Sequence, residues 1–145
     1  MAIKRYYRFG EEERECWENC PTLQKLLNPR WLDTQSQQSL LWNTHPLFFD
    51  ICLNPPAVYA LEKALKTVTE DTRNVIKKYI KKDIGRDKDK NRFRRGGWYG
   101  FLSEIFVLLR LYEKGLGFDY RPGMPGADFI IPALNNLKIE VTSLQ

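Results

Sequence analysis

Three carboxylates near the C-terminal end of the chain occupy settings where acids are uncommon. Glu104 lies in the run GGWYGFLSEIFVLLRLYEKG, Asp128 opens the apolar stretch GADFII, and Glu140 lies inside LKIEVTSL. A carboxylate held among apolar neighbours loses hydration worth several kcal/mol unless a metal, a cation or a hydrogen-bond partner replaces it. Acids contributed by one helix and two strands could together hold a hard divalent cation, whose ligands are oxygens. Such a cation suits phosphodiester cleavage, because it activates water and stabilises charge on the scissile group. Lys138, two residues before Glu140, could bring an ammonium to the same place. An internal ion pair would account for Glu104, and a water-facing edge strand for Glu140, without any chemistry.

The elements that must position these acids are readable. Length and composition predict a helix over residues 98–114. On its wheel Glu104 falls among Gly100, Val107, Leu108 and Leu111, while Ser103, Arg110 and Lys114 line a different stripe. The helix is expected to end at KGLG, where Gly115 or Gly117 supplies a left-handed turn. FDYRPG then reads as a first strand or extended entry, and MPGADFII as a turn into a second strand. PALNN makes the next turn and LKIEVTSL the next strand, so the last two strands form a hairpin. Alternation puts Lys138, Glu140 and Thr142 on one face and Ile139, Val141 and Ser143 on the other. With Leu137 and Leu144 at its ends, this strand is predicted to be largely buried.

A helical Glu, then G-A-D-F, then I-E-V-T resembles the PD-(D/E)xK nuclease superfamily, the restriction-endonuclease-like fold, over about the last third of the chain. The resemblance implies a core of helix, three strands, helix and strand. It implies Asp128 and Glu140 as ligands of Mg²⁺, with Mn²⁺ as a substitute, and the Val141 carbonyl as a further ligand. Glu104 would be a ligand or act through water. Thr142 stands where the family has its lysine, and Lys138 is the residue here that could replace it. The family's following helix and strand would fall after Gln145, so the chain reads as the N-terminal portion of a longer protein. The expected fold class is α+β: a helical N-terminal lobe over residues 1–95, then residues 96–145 as the first part of a nuclease core.

Charge supplies a substrate for such a site. From Arg73 to Arg95 eleven Lys or Arg face three Asp, a local +8 within a chain of net +5, so the remainder is mildly acidic. A basic block suits a polyanion, because Lys and Arg displace counterions from phosphates. The residues expected to contact nucleic acid, DNA before RNA, are Lys77, Lys78, Lys81, Lys82, Arg92, Arg94 and Arg95. Lysines in the last turns of a helix are also favoured by its dipole, with or without a ligand. Residues 86–97, RDKDKNRFRRGG, read as a mobile basic connector between the two regions.

Upstream, residues 11–27 read as a helix opened by Glu11, Glu12 and Glu13, broken near Asn19 and restarted at Pro21. A short helix is expected around Thr34–Trp42. LFFDICL (47–53) fits either a buried strand or a helical turn. Asn54 and the two prolines after it open a helix predicted to run from 55 to 84, with Val58, Leu61, Leu65, Val68, Val75, Tyr79 and Ile80 on its apolar face.

Apolar residues make up 43% of the chain, with 8 Phe, 7 Tyr and 4 Trp, enough to build a core and to exclude general disorder. The longest apolar run, Ile105–Leu109, is too short for a membrane span, and the N-terminus has no signal-peptide core. A cytoplasmic protein is expected, with self-association left open. Cys16, Cys20, Cys52 and the single histidine, His45, match no strong zinc spacing, and zinc is not expected. Two other classes stay in view. One is a nuclease-like fold that binds nucleic acid without cutting it; the other is a protein-interaction domain built on Trp17, Trp31, Trp42 and Trp98.

Overall fold

The computed structural model describes residues 10–37, 44–81, 86–87, 92–93, 95–122 and 127–142. Helix α1 (Glu11–Glu18) opens at Gly10, whose N–H donates to the Glu13 carboxylate at 2.8 Å. Its three leading acids face the positive end of the dipole, as the sequence predicts. The break comes where expected, and α2 (Pro21–Leu27) restarts on proline. Helix α3 (Trp31–Ser36) begins three residues earlier than predicted. The Asn28 side chain accepts the Arg30 N–H at 2.7 Å while its backbone sits at φ 100°, and this turn launches the helix at Trp31. The rest of the expected 34–42 helix lies outside the described residues beyond Gln37. LFFDICL takes the helical option as part of α4 (Pro46–Leu53), with His45 Nδ1 accepting the Leu47 N–H at 3.0 Å as a cap.

The predicted single helix over 55–84 is two helices, α5 (Pro55–Thr67) and α6 (Glu70–Lys81). Val68 between them is extended, at φ −78° and ψ 166°. Thr67, Val68 and Thr69 are β-branched and hold a helix weakly, while Thr69 is a good cap. Its Oγ1 accepts the Thr72 N–H at 3.3 Å. Arg73 then locks the corner, donating Nε to the Leu65 carbonyl at 2.5 Å and Nη2 to the Val68 carbonyl at 3.4 Å. Thr69→Ala is expected to cost about 1 kcal/mol, read as a lower urea midpoint with an unchanged slope.

Helix α5 is the centre of the fold, packing against α1, α2, α4, α6 and the later helix α7 (Arg95–Glu113). Ala57, Val58, Leu61, Ala64 and Leu65 are fully buried on it, and the two alanines let neighbouring helices come close. One continuous buried cluster joins these helices to α7 and to the sheet beyond, from Cys16 to Ile131. Within it the Trp98 indole on α7 donates to the Asp50 carboxylate on α4 at 2.5 Å.

The connector differs from the expected loop: β1 (Arg86–Asp87) pairs antiparallel with β2 (Arg92–Phe93), forming a small hairpin. Helix α7 ends with Gly115 at φ 70°, and Leu116 N–H reaches back to the Leu111 carbonyl at 3.1 Å. The second sheet is an antiparallel meander of β3 (Asp119–Tyr120), β4 (Phe129–Ile131) and β5 (Leu137–Ile139), in that order. Asn135 and Asn136, both with positive φ, make the turn into β5. The architecture is therefore α+β. Contrary to the prediction of a largely buried last strand, Leu137 and Lys138 are exposed and Ile139 is half-buried, and β5 is an edge of this sheet among the described residues. Among the described residues no helix is long and apolar enough to cross a membrane.

Candidate functional site

Two of the three acids meet. Glu104 sits on the flank of α7 beside Leu108 and Leu111 and is only 8% exposed. Its carboxyl interacts directly with that of Asp128 and lies next to the Tyr120 hydroxyl. Burial first, then hydrogen bonding to Asp128 and the Asp128 charge, push the Glu104 pKa up to about 8. This shift favours the protonated form of Glu104 at neutral pH. Tyr120 is raised as well, chiefly by burial and then by the charge of Glu104. Its hydroxyl is buried and makes no hydrogen bond of full geometry among the described residues. Tyr79 on α6, stacked on Phe101 at 5.3 Å, completes the surroundings and is raised by burial and by both acids. No Lys or Arg forms an ion pair with Glu104 or Asp128 among the described residues.

The backbone explains how Asp128 turns toward Glu104. In the β4–β5 register Phe129 is the partner of Ile139, yet the Asp128 N–H also donates to the Ile139 carbonyl at 2.9 Å. Two successive residues thus answer to one on β5, the pattern of a β-bulge, which re-aims a side chain. Phe129, next in the strand, packs on Tyr120 with centroids 4.8 Å apart. The carboxylate is then fixed by the Val141 N–H, which donates to Oδ2 at 2.8 Å.

The same geometry separates the remaining acid. Past Ile139, alternation carries Val141 inward and Glu140 outward, and Lys138, Glu140 and Thr142 are all exposed. The polar face of this strand, expected to frame the site with Lys138 beside Glu140, meets water instead. No group of three His, Cys, Asp or Glu side chains able to hold a metal exists among the described residues. Val141 is brought to Asp128 through its amide rather than the carbonyl expected from the family resemblance. The two carboxylates of Glu104 and Asp128 remain together, and one or two carboxylates with several waters is the way Mg²⁺ is commonly held.

Of the residues expected to contact nucleic acid, Lys77 is half-buried on α6, and Lys78 and Lys81 are exposed on the same helix. Lys82, Arg94 and the side chains of Arg92 and Arg95 lie outside the described residues. Lys77 and Lys81 share a cavity of about 500 Å³ with Lys25 on α2, Lys66 on α5 and Arg73. The sequence reading placed Lys25 and Lys66 at no site and counted Arg73 only within the basic block. The spacing of Arg73, Lys77 and Lys81 along one helical stripe was legible, but Lys25 and Lys66 join it only through packing.

The cysteines and histidine do not form a metal centre among the described residues. Cys16 and Cys20 are buried against each other. The His45 ring lies edge-on to Trp31 and Trp98, at 5.7 Å and 5.2 Å. Trp17, Trp31 and Trp98 are used in packing, with Trp17 and Trp98 buried, and Trp42 lies outside the described residues. Comparison with protein-family models, with curated proteins and with solved structures finds no match to this chain.

Proposed function

We propose that this chain carries the metal-holding part of a divalent-metal-dependent nuclease, with Glu104 and Asp128 as the carboxylates that bind Mg²⁺ or Mn²⁺. The observation that carries the reading is the pairing of two acids, turned onto one another between a helix and a sheet with no ion-pair partner among the described residues. Ionising both acids together in a low-dielectric site is costly, and a divalent cation would relieve that cost. The ion, when bound, would supply charge stabilisation on the scissile phosphate and activation of water. Asp128 is held by the Val141 N–H and the bulge, so its carboxylate is oriented before any ligand arrives. Glu104 must release its proton to bind a cation, and Tyr120 excludes water from one side of the pair. The antiparallel meander after a helix accords with the resemblance to restriction-endonuclease-like proteins. The test is nicking or cutting of plasmid DNA, and of RNA, by the intact protein with Mg²⁺ or Mn²⁺. Absence of cleavage of either substrate, or full cleavage by Asp128→Ala, would sink the proposal.

A second reading, a nucleic-acid-binding module without cleavage, is favoured by one observation. Lys138 and Glu140 face solvent, and Thr142 offers no cation, so the pair lacks the third acid and the lysine that the family resemblance calls for. Metal-independent binding that survives Asp128→Asn, with no cutting by any form, is its expected signature.

A further inference from the structure

The cavity between α2, α5 and α6 concentrates positive charge that the fold itself does not require. Lys25, Lys66, Arg73, Lys77 and Lys81 line it, with Thr22 and two leucines. Among the described residues one acid stands close by: Glu62, buried on α5, accepts the Leu23 N–H at 2.9 Å and the Thr22 N–H at 3.2 Å, and meets Lys66 at 3.3 Å. Arg73 spends two N–H groups on the carbonyls at the α5–α6 corner. Lys25, Lys77 and Lys81 have no ion-pair partner among the described residues. Holding these cations around one concavity is unfavourable in isolation, and an anion with several charges relieves it.

The shape selects among anions. Arg73, Lys77 and Lys81 follow one stripe of α6, a row about 12 Å long at 1.5 Å per residue. That row matches successive phosphates along a strand better than the compact cluster of a free oligophosphate. Among the described residues no aromatic ring lines the cavity to stack a base, so recognition would be of the backbone alone. On the wheel of α6, Ile76 and Ile80 face the core, the basic row lies on one flank, and Tyr79, beside the acid pair, lies on the other.

We infer that this cavity binds the sugar-phosphate backbone of a nucleic-acid strand, as a site separate from the Glu104–Asp128 pair. The inference rests on reading the substrate as nucleic acid but not on any metal chemistry. It is tested on the full chain with a fluorescent oligothymidylate in chelator at low salt, with inorganic triphosphate as competitor. The combined variant Lys25→Gln, Lys77→Gln, Lys81→Gln removes three exposed or half-exposed ammoniums and leaves the Arg73 and Glu62 bonds in place. It is expected to weaken binding at least about tenfold and to lower the salt slope by about 2, near 0.7 per lost contact on single strands. Lys114→Gln, exposed just past the end of α7 and outside the cavity, should have little effect. Equal weakening by Lys114→Gln, no binding at all, or binding of triphosphate without the oligonucleotide each overturns the inference. Normal strand binding with no cleavage under any metal would overturn the nuclease proposal and leave this site standing.

Discussion

Glu104→Gln is expected to make the metal-free protein more stable at mildly alkaline pH and to abolish its stabilisation by Mg²⁺. The sign follows from the direction of the shift. Glu104 is raised from 4.5 to about 8 in the folded protein, so the folded state holds a proton that the unfolded chain has already lost in this interval. Its contribution to stability is full below pH 4.5 and is lost progressively as pH rises toward 8. The loss is on the order of a few kcal/mol at about 1.4 kcal/mol per unit. Glutamine mimics the protonated acid and does not titrate, so the variant should show a flatter dependence of melting temperature on pH over this range. Mg²⁺ reverses the wild-type trend, because ligands must be deprotonated to bind and affinity therefore rises with pH. At a hundredfold excess over its dissociation constant a bound ion adds about 2.7 kcal/mol, which the variant should not gain. Cleavage should fall by more than about a hundredfold, the upper range for groups that merely support metal ligands. A wild-type melting temperature insensitive to Mg²⁺ at pH 8.5 would contradict the assignment of the pair.

Trp98→Ala is expected to remove a large share of the folding stability. Trp98 is 1% exposed, packs on Phe101 and His45, and donates to Asp50 across 48 residues of chain. Truncating a buried aromatic of this size costs about 3–5 kcal/mol, a large share of the 5–15 kcal/mol typical of a domain. Loss of the indole donor to a buried carboxylate adds to that cost. Because the same helix carries Glu104 two turns further on, Mg²⁺ binding should weaken along with stability. Urea titration followed by far-ultraviolet circular dichroism measures the first effect, and the midpoint should fall steeply. Trp98→Phe, which keeps most of the apolar contact and loses only the donor, should be affected less.

The elements that follow local rules were legible. Acids before an apolar run opened α1, Pro21 restarted the chain, prolines opened α5, and Gly115 closed α7. The β4–β5 hairpin followed from alternation bounded by turn residues. Two misreadings have local causes. The 55–84 stripe keeps its three- and four-residue spacing across Val68, so periodicity alone could not show a corner made by Thr69 and Arg73. The polar connector hid a hairpin only two residues wide, too short for a pattern to register.

By itself, the sequence determined that Glu104 would be buried and that Asp128 would enter the sheet, because apolar spacing and strand entry are written in neighbouring residues. It also determined the alternation that groups Lys138, Glu140 and Thr142. Only the tertiary structure decided which way that group points. Alternation defines two faces of a strand but not which face meets the core; β5 became an edge, and its polar face turned to water. The bulge at Asp128, set by one extra hydrogen bond to Ile139, then turned one acid toward Glu104 and left the other outside. The basic cavity arose in the same way, from three helices whose lysines lie far apart in sequence and meet only because α5 packs against both α2 and α6.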